Sequence, residues 1–243
     1  MLILSPLYSE DYVSKLREEG VVVLGYVSIS TVGGWEPWAS QVTDDIVLSY
    51  DPTWGEKIVN ASSPRWRRIL LKGAIPWVLS KGFDGVFLDN LDVVDAYPQL
   101  RTAIVSLVEE VRGSFPDIVV AVNRGFSIVE EVAPYVNYVV FESFGTYYDF
   151  SEGCYKKWSG SDLKWIEAIS EKLSQLSSKH GFKVLVLAYA DPNNSEQFAE
   201  YVSFVKELAS KYGFSYYVAD VYLQHITPLH KLVEAKPESE AVP

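Results

Sequence analysis

The stretch Gly82-Phe83-Asp84-Gly85-Val86-Phe87-Leu88-Asp89-Asn90-Leu91-Asp92 decides the fold. Val86, Phe87 and Leu88 form a short apolar run of strand-forming side chains, closed by Asp-Asn. A continuous apolar run bounded by polar turn residues marks a strand buried on both faces, as in a parallel sheet. In parallel α/β proteins, ligands and chemistry gather just past the carboxyl ends of the strands. Three polar side chains, Asp89, Asn90 and Asp92, stand there within four residues. One Asp or Asn is enough to start a turn or cap a helix. Three exceed that need and point to a site.

The same pattern recurs on both sides of this stretch. Leu2 to Ser5 reads as a first strand, then a helix from Ser9 to a stop at Gly20, then an apolar strand from Val21 to Ser28. The Trp-rich region that follows is the least regular, with a short third strand expected over 57–60. A helix begins at Ser63-Pro64 and runs towards Lys81-Gly82, where Pro76 must kink or interrupt it. Beyond the central strand, helix 99–112 leads to strand 118–122, a short helix at 127–132 to strand 138–141, and helix 161–179 to strand 183–187. Helix 195–211 and strand 214–218 complete the alternation. The aromatic stretch 147–161 reads as a long functional loop. Roughly eight strands alternating with helices in 243 residues predict a single-domain α/β protein, a (β/α)8 TIM barrel over 1–234 with a polar tail at 235–243. No Gly-x-Gly-x-x-Gly or Walker-type loop follows any strand, so nucleotide binding has no support.

Composition excludes several classes. One cysteine, Cys154, allows no intrachain disulfide. The three histidines, His180, His225 and His230, lack zinc-cluster spacing, so no metal or other cofactor is implied. The formal net charge of −11, without a basic cluster, argues against nucleic acid and anionic membranes and suits a neutral or cationic ligand. No segment approaches the roughly 20 apolar residues of a membrane span. The start lacks the features of a signal peptide, so the expectation is a cytoplasmic protein, or a secreted one whose leader has been removed. Nothing in the sequence sets the oligomeric state.

Strand after strand ends in a polar group: Tyr26 and Ser28, Asn60, Asp89 with Asn90 and Asp92, Asn123, Glu142, and Asp191 just past Tyr189. In a barrel such ends converge on one rim. Glu142 lies in an apolar and aromatic setting (Val139, Val140, Phe141, Phe144) where a bare carboxylate is costly. Two carboxylates at strand ends, amid Trp and Tyr, suit glycoside hydrolysis. One attacks the anomeric carbon and the other protonates the leaving oxygen. Asp89, next to a hydrogen-bond donor in Asn90, is the candidate nucleophile, and Glu142 the candidate acid/base. A retaining pair requires carboxyl groups about 5–5.5 Å apart. Trp35, Trp38, Trp54, Tyr147, Tyr148 and Trp158 are candidate sugar-stacking rings.

Taken together, Tyr26-Val-Ser28, the region from Trp54 through Asn60 to Pro64-Arg-Trp66, the Gly82–Asp92 stretch, Asn123 and Phe141-Glu142-Ser143 resemble the endo-α-1,4-polygalactosaminidase family, glycoside hydrolase family 114. The resemblance covers most of the chain in the same order. It implies a (β/α)8 barrel with Asp89 as nucleophile and Glu142 as acid/base, acting with retention on an α-linked galactosamine or N-acetylgalactosamine polysaccharide or oligosaccharide. Tyr26, Ser28, Asn90, Asp92, Asn123, Tyr147, Tyr189 and Asp191 form the expected substrate-binding set. The chain departs from the family's usual residues at Ser30-Thr31, Asn60 and Ala188. Two other readings use the same residues: a carbohydrate-binding barrel without turnover, and a barrel enzyme holding Mg²⁺ on Asp89, Asp92 and Glu142.

Overall fold

The structure, a computed structural model, describes residues 1–223. The expected tail at 235–243 and both His225 and His230 lie outside the described residues. The fold resolves into two compact units. One comprises Met1–Val139 with His180–Phe182, the other Val140–Lys179 and the chain from Lys183 onward.

The first unit contains β1 (Leu2–Leu4), α1 (Glu10–Glu18), β2 (Val23–Ser28), β3 (Thr31–Val32), β4 (Val47–Asp51), β5 (Glu56–Val59), α2 (Pro64–Ile69), α3 (Ile75–Ser80), β6 (Gly85–Asp89), α4 (Val93–Ala96), α5 (Arg101–Ser114), β7 (Val119–Asn123), α6 (Val129–Val132) and the start of β8 (Tyr138–Glu142). Strands β1, β2, β6 and β7 pair in that order and in parallel, in registers that set Ser28 opposite Asp89 and Leu88 opposite Val122. β8 enters beside β7, where Asn137 N–H donates to Val120 O at 2.8 Å. Val86, Phe87 and Leu88 are all buried, as the apolar run predicts.

Each residue of Gly82-Phe-Asp-Gly has a separate task. Gly82, at φ +87°, ends the preceding helix in the left-handed region. Phe83 is buried. The Asp84 carboxylate accepts from Val23 N–H at 2.9 Å and from Arg17 Nε at 2.8 Å, tying the starts of β2 and β6 together. Gly85 lets the backbone of β7 come close. A Cβ there would lie 1.9 Å from Val119 O.

Pro76 interrupts its helix as expected. It sits in the first turn of α3, and the chain between α2 and α3 widens into a π turn over Leu70–Ala74. One expectation for this unit requires correction. The segment at 57–60 is no member of the parallel succession. It is β5, which pairs antiparallel with both β4 and β3 in a separate three-stranded sheet. The cause is the Pro52-Thr-Trp-Gly55 turn, which reverses the chain so that β4 and β5 run back along each other.

The second unit holds the end of β8, β9 (Thr146–Asp149), β10 (Cys154–Lys157), α7 (Gly160–His180), β11 (Lys183–Tyr189), α8 (Ser195–Lys211) and β12 (Ser215–Ala219). Strand order here is β8-β11-β12, with α8 packed on β12. Phe141, Phe144, Phe198 and Val205 fill its core. The stretch 147–161, expected as a loop, is instead a β9–β10 hairpin with Tyr148 opposite Tyr155, followed by the start of α7. Its aromatic side chains pair across the strands, which stabilises a hairpin more than a loop. The described residues carry seven parallel strands rather than eight, in the α/β class predicted.

The close approach at Gly85 generates a test. Gly85→Ala should lower the denaturation midpoint by the equivalent of about 3 kcal/mol or more, because the clash is with backbone. Gly113→Ala, where an added Cβ meets nothing within 4 Å, should instead be neutral or stabilising by up to about 1 kcal/mol. Equal midpoints for the two variants would contradict the β6–β7 packing.

Candidate active site

In the first unit, polar side chains converge on Asp89. Its Oδ1 accepts from Asn123 Nδ2 at 2.9 Å and from the Asn90 backbone N–H at 2.8 Å, and its Oδ2 accepts from Tyr26 OH at 2.8 Å. The registers explain the convergence. Tyr26 and Asn123 end or nearly end the strands on either side of β6, so both reach the residue that ends β6. Three donors on one carboxylate favour its charged form. Burial pushes the Tyr26 phenol far above its ordinary value, and the neighbouring Asp89 carboxylate reinforces the shift, so Tyr26 remains a donor across the working pH range.

Asn90 lies at φ +63°, a region that costs a residue with a side chain. Its Nδ2 donates to Ser28 Oγ at 2.9 Å and to Thr31 Oγ1 at 3.0 Å. Asp92 faces Arg124, with Nε 3.3 Å from its Oδ2. Burial raises the Asp92 carboxyl above its usual range; Arg124 opposes the shift and repulsion from Asp89 adds to it.

Two acids beside this cluster carry no sequence motif. Glu56, at the start of β5, accepts from Thr31 Oγ1 at 2.6 Å. Burial raises its carboxyl, the Thr31 hydrogen bond opposes this, and repulsion from Glu36 and Asp89 adds to it. Glu36 is buried and accepts from Gly33 N–H and Gly34 N–H. The only sequence trace of this arrangement is the Pro52-Thr-Trp-Gly55 turn between two short segments, which marks a hairpin without singling out Glu56. Trp35 is exposed and 6.2 Å from the Tyr26 ring, whereas Trp38, expected as a sugar-stacking ring, is buried against Trp77. At 4% exposure that ring belongs to the core rather than to a cleft.

In the second unit, Glu142 ends β8 and its Oε1 accepts from Tyr189 OH at 2.6 Å. Tyr189 is buried, and its backbone N–H donates to Thr146 Oγ1 at 3.2 Å. Ser143 lies at φ +59° and its carbonyl accepts from Trp158 Nε1 at 2.8 Å, while Trp158 stacks on Tyr147 at 3.7 Å. Asp191 turns an oxygen to Asn193 N–H at 2.9 Å, closing the loop after β11. Among the described residues no group of three or more His, Cys, Asp or Glu is arranged to hold a metal ion, and no helix is long and apolar enough to cross a membrane.

A pattern now stands out that the sequence does not display. Asp89, Asn123 and Glu142 each end a strand, and each is followed by a residue with a side chain in the left-handed region: Asn90, Arg124 (φ +53°) and Ser143. Backbone strain of this kind gathers at functional sites.

The sequence profile of the glycoside-hydrolase family GH114 matches residues 6–233. The chain belongs to this family. As a GH114 member it is a glycoside hydrolase. The glycoside hydrolase domain of PelA from Pseudomonas aeruginosa is similar at a TM-score of 0.78 and 21% identity, covering 92% of this chain and 88% of that one. Ega3 of Aspergillus fumigatus, in complex with galactosamine, is similar at a TM-score of 0.66 and 19% identity, covering 90% of this chain and 82% of that one. These likenesses show a shared fold, the TIM-barrel class expected for GH114. Among curated proteins none matches the chain.

The electrostatics of this GH114 chain have a consequence for stability. The folded protein holds the Asp92 proton more tightly than the unfolded chain, so stability falls as pH rises from the ordinary Asp value through the raised one. Asp92→Asn should therefore raise the denaturation midpoint at pH 7, and the gain should vanish below about pH 3. A lower midpoint at pH 7 would show the Arg124 pair outweighing burial.

Proposed function

We propose that this glycoside hydrolase cleaves α-linked, galactosamine-containing polysaccharide or oligosaccharide with retention, Asp89 attacking the anomeric carbon and Glu142 acting as acid and then base. The observation that carries the reading is the three-donor cradle of Asp89. Its donors favour the charged form of a strand-end carboxylate and fix its direction, which is what an attacking group requires. Tyr189 orients Glu142 in a comparable way. Retention implies carboxyl groups about 5–5.5 Å apart. The family match runs from residue 6 to residue 233, which supports reading that span as one catalytic domain.

Galactosamine is supported by the GH114 membership and by the galactosamine complex of Ega3. Charge supports it too. The chain carries −11, and Glu36, Glu56, Asp89 and Asp92 interact within the first unit, a field that suits the ammonium group of an amino sugar without its acetyl group. Of the residues expected to bind substrate, Tyr26, Ser28, Asn90 and Asn123 hold the nucleophile and its neighbours and Tyr189 holds Glu142, leaving Asp92, Tyr147 and Asp191 as candidates for direct sugar contact.

The test is release of reducing ends from α-1,4-linked galactosamine polymer, with and without N-acetylation. Wild-type protein should cleave the free-amine polymer faster, and added salt should lower kcat/KM on it. Asp89→Asn and Glu142→Gln should each lose roughly a thousandfold or more in turnover while keeping the wild-type denaturation midpoint. An Asp89 that only ties β2, β6 and β7 together would show its loss in the denaturation midpoint and leave the turnover of the folded protein unchanged. That outcome removes it from the mechanism.

A further inference from the structure

We propose that Glu56 acts on the reaction from outside the reacting centre, through a relay Glu56–Thr31–Ser28–Asn90 that sets the position of Asp89. Glu56, Thr31 and Ser28 are then positioning residues, an inference resting on the reading of Asp89 as nucleophile.

The relay has a direction. The Thr31 hydroxyl has one hydrogen, and an ionised Glu56 can only accept, so the 2.6 Å contact between Thr31 Oγ1 and Glu56 Oε2 commits that hydrogen to Glu56. The 2.7 Å contact between Ser28 Oγ and Thr31 Oγ1 must then be donated by Ser28. With both hydroxyl hydrogens committed, the two oxygens offer only lone pairs to Asn90. The Asn90 amide must present its nitrogen to them, as it does at 2.9 and 3.0 Å. Ser30 Oγ donates to the Asn90 carbonyl at 2.9 Å and holds the other end of the residue. These bonds retain Asn90 at φ +63°, the conformation in which its N–H reaches Asp89 Oδ1.

Burial makes the relay rigid. Ser28, Ser30 and Thr31 are all buried, so water is a poor substitute for a lost member. Glu56 comes from the separate three-stranded sheet, which gives that sheet a role in the reaction beyond packing. Glu36, Asp51 and Asp89 repel the Glu56 carboxylate, and Tyr26 lies within its field. Against that repulsion and burial, the Thr31 hydroxyl favours its charged form.

The experiment compares Thr31→Val, nearly equal in shape, with Thr31→Ser, which restores the hydroxyl. Two readouts are needed: kinetics on an α-1,4-linked galactosamine oligosaccharide, and titration of the Asp89 carboxyl followed by carbon-13 NMR. Thr31→Val should lower kcat on the order of tenfold with KM nearly unchanged. Looser donation from Asn90 should also move the Asp89 titration, and with it the acidic limb of the pH profile, to higher pH. Thr31→Ser should restore both. Wild-type kcat and titration in Thr31→Val would overturn the relay, as would a Thr31→Ser variant with the same defect as Thr31→Val. Wild-type turnover in Asp89→Asn would instead overturn the nucleophile, while the carboxyl titration would still read the relay.

Discussion

A strand buried on both faces that ends in a carboxylate sets the terms for everything around it. β6 brings Val86, Phe87 and Leu88 through the core and delivers Asp89 at their end. A charge at that place is tolerated only if donors meet it. The parallel neighbours supply them, Tyr26 from β2 and Asn123 from β7, and the left-handed turn at Asn90 supplies a third. The parallel register, the approach of backbone at Gly85 and the anchoring of strand starts by Asp84 all serve that convergence.

The arrangement favours function over stability. Glu56 and Asp92 are both raised in the fold, each by burial and each with Asp89 among the charges repelling it. Residues with side chains occupy left-handed backbone after Asp89, Asn123 and Glu142, where glycine would be the relaxed choice. An enzyme selected for stability alone would discharge the acids and relax the turns. Acids kept beside Asp89 at that cost fit the proposed site for a cationic sugar.

Much of this was legible in the sequence, because apolar runs closed by polar residues report buried strands and their ends directly. Asp89, Asn90, Asn123 and Glu142 were visible for that reason. Glu56 and Glu36 were not, since they belong to a stretch rich in Trp, Pro and Gly whose strands are short and antiparallel. The aromatic hairpin at Tyr147 reads as a loop in sequence because its cross-strand pairs, such as Tyr148 with Tyr155, become evident only in register. Trp38 shows the converse limit: composition identifies an aromatic ring without saying whether it faces a ligand or the core. The departures at Ser30 and Thr31 acquired meaning only in three dimensions, where both side chains hold Asn90.

The central claim is that Asp89 bonds covalently to the sugar. Rapid acid quench of the protein turning over an α-1,4-linked galactosamine oligosaccharide, followed by peptide mass mapping, tests it most directly. The account predicts a galactosaminyl ester on the peptide containing Asp89, absent from Asp89→Asn. An unmodified peptide together with a product of inverted anomeric configuration would contradict it.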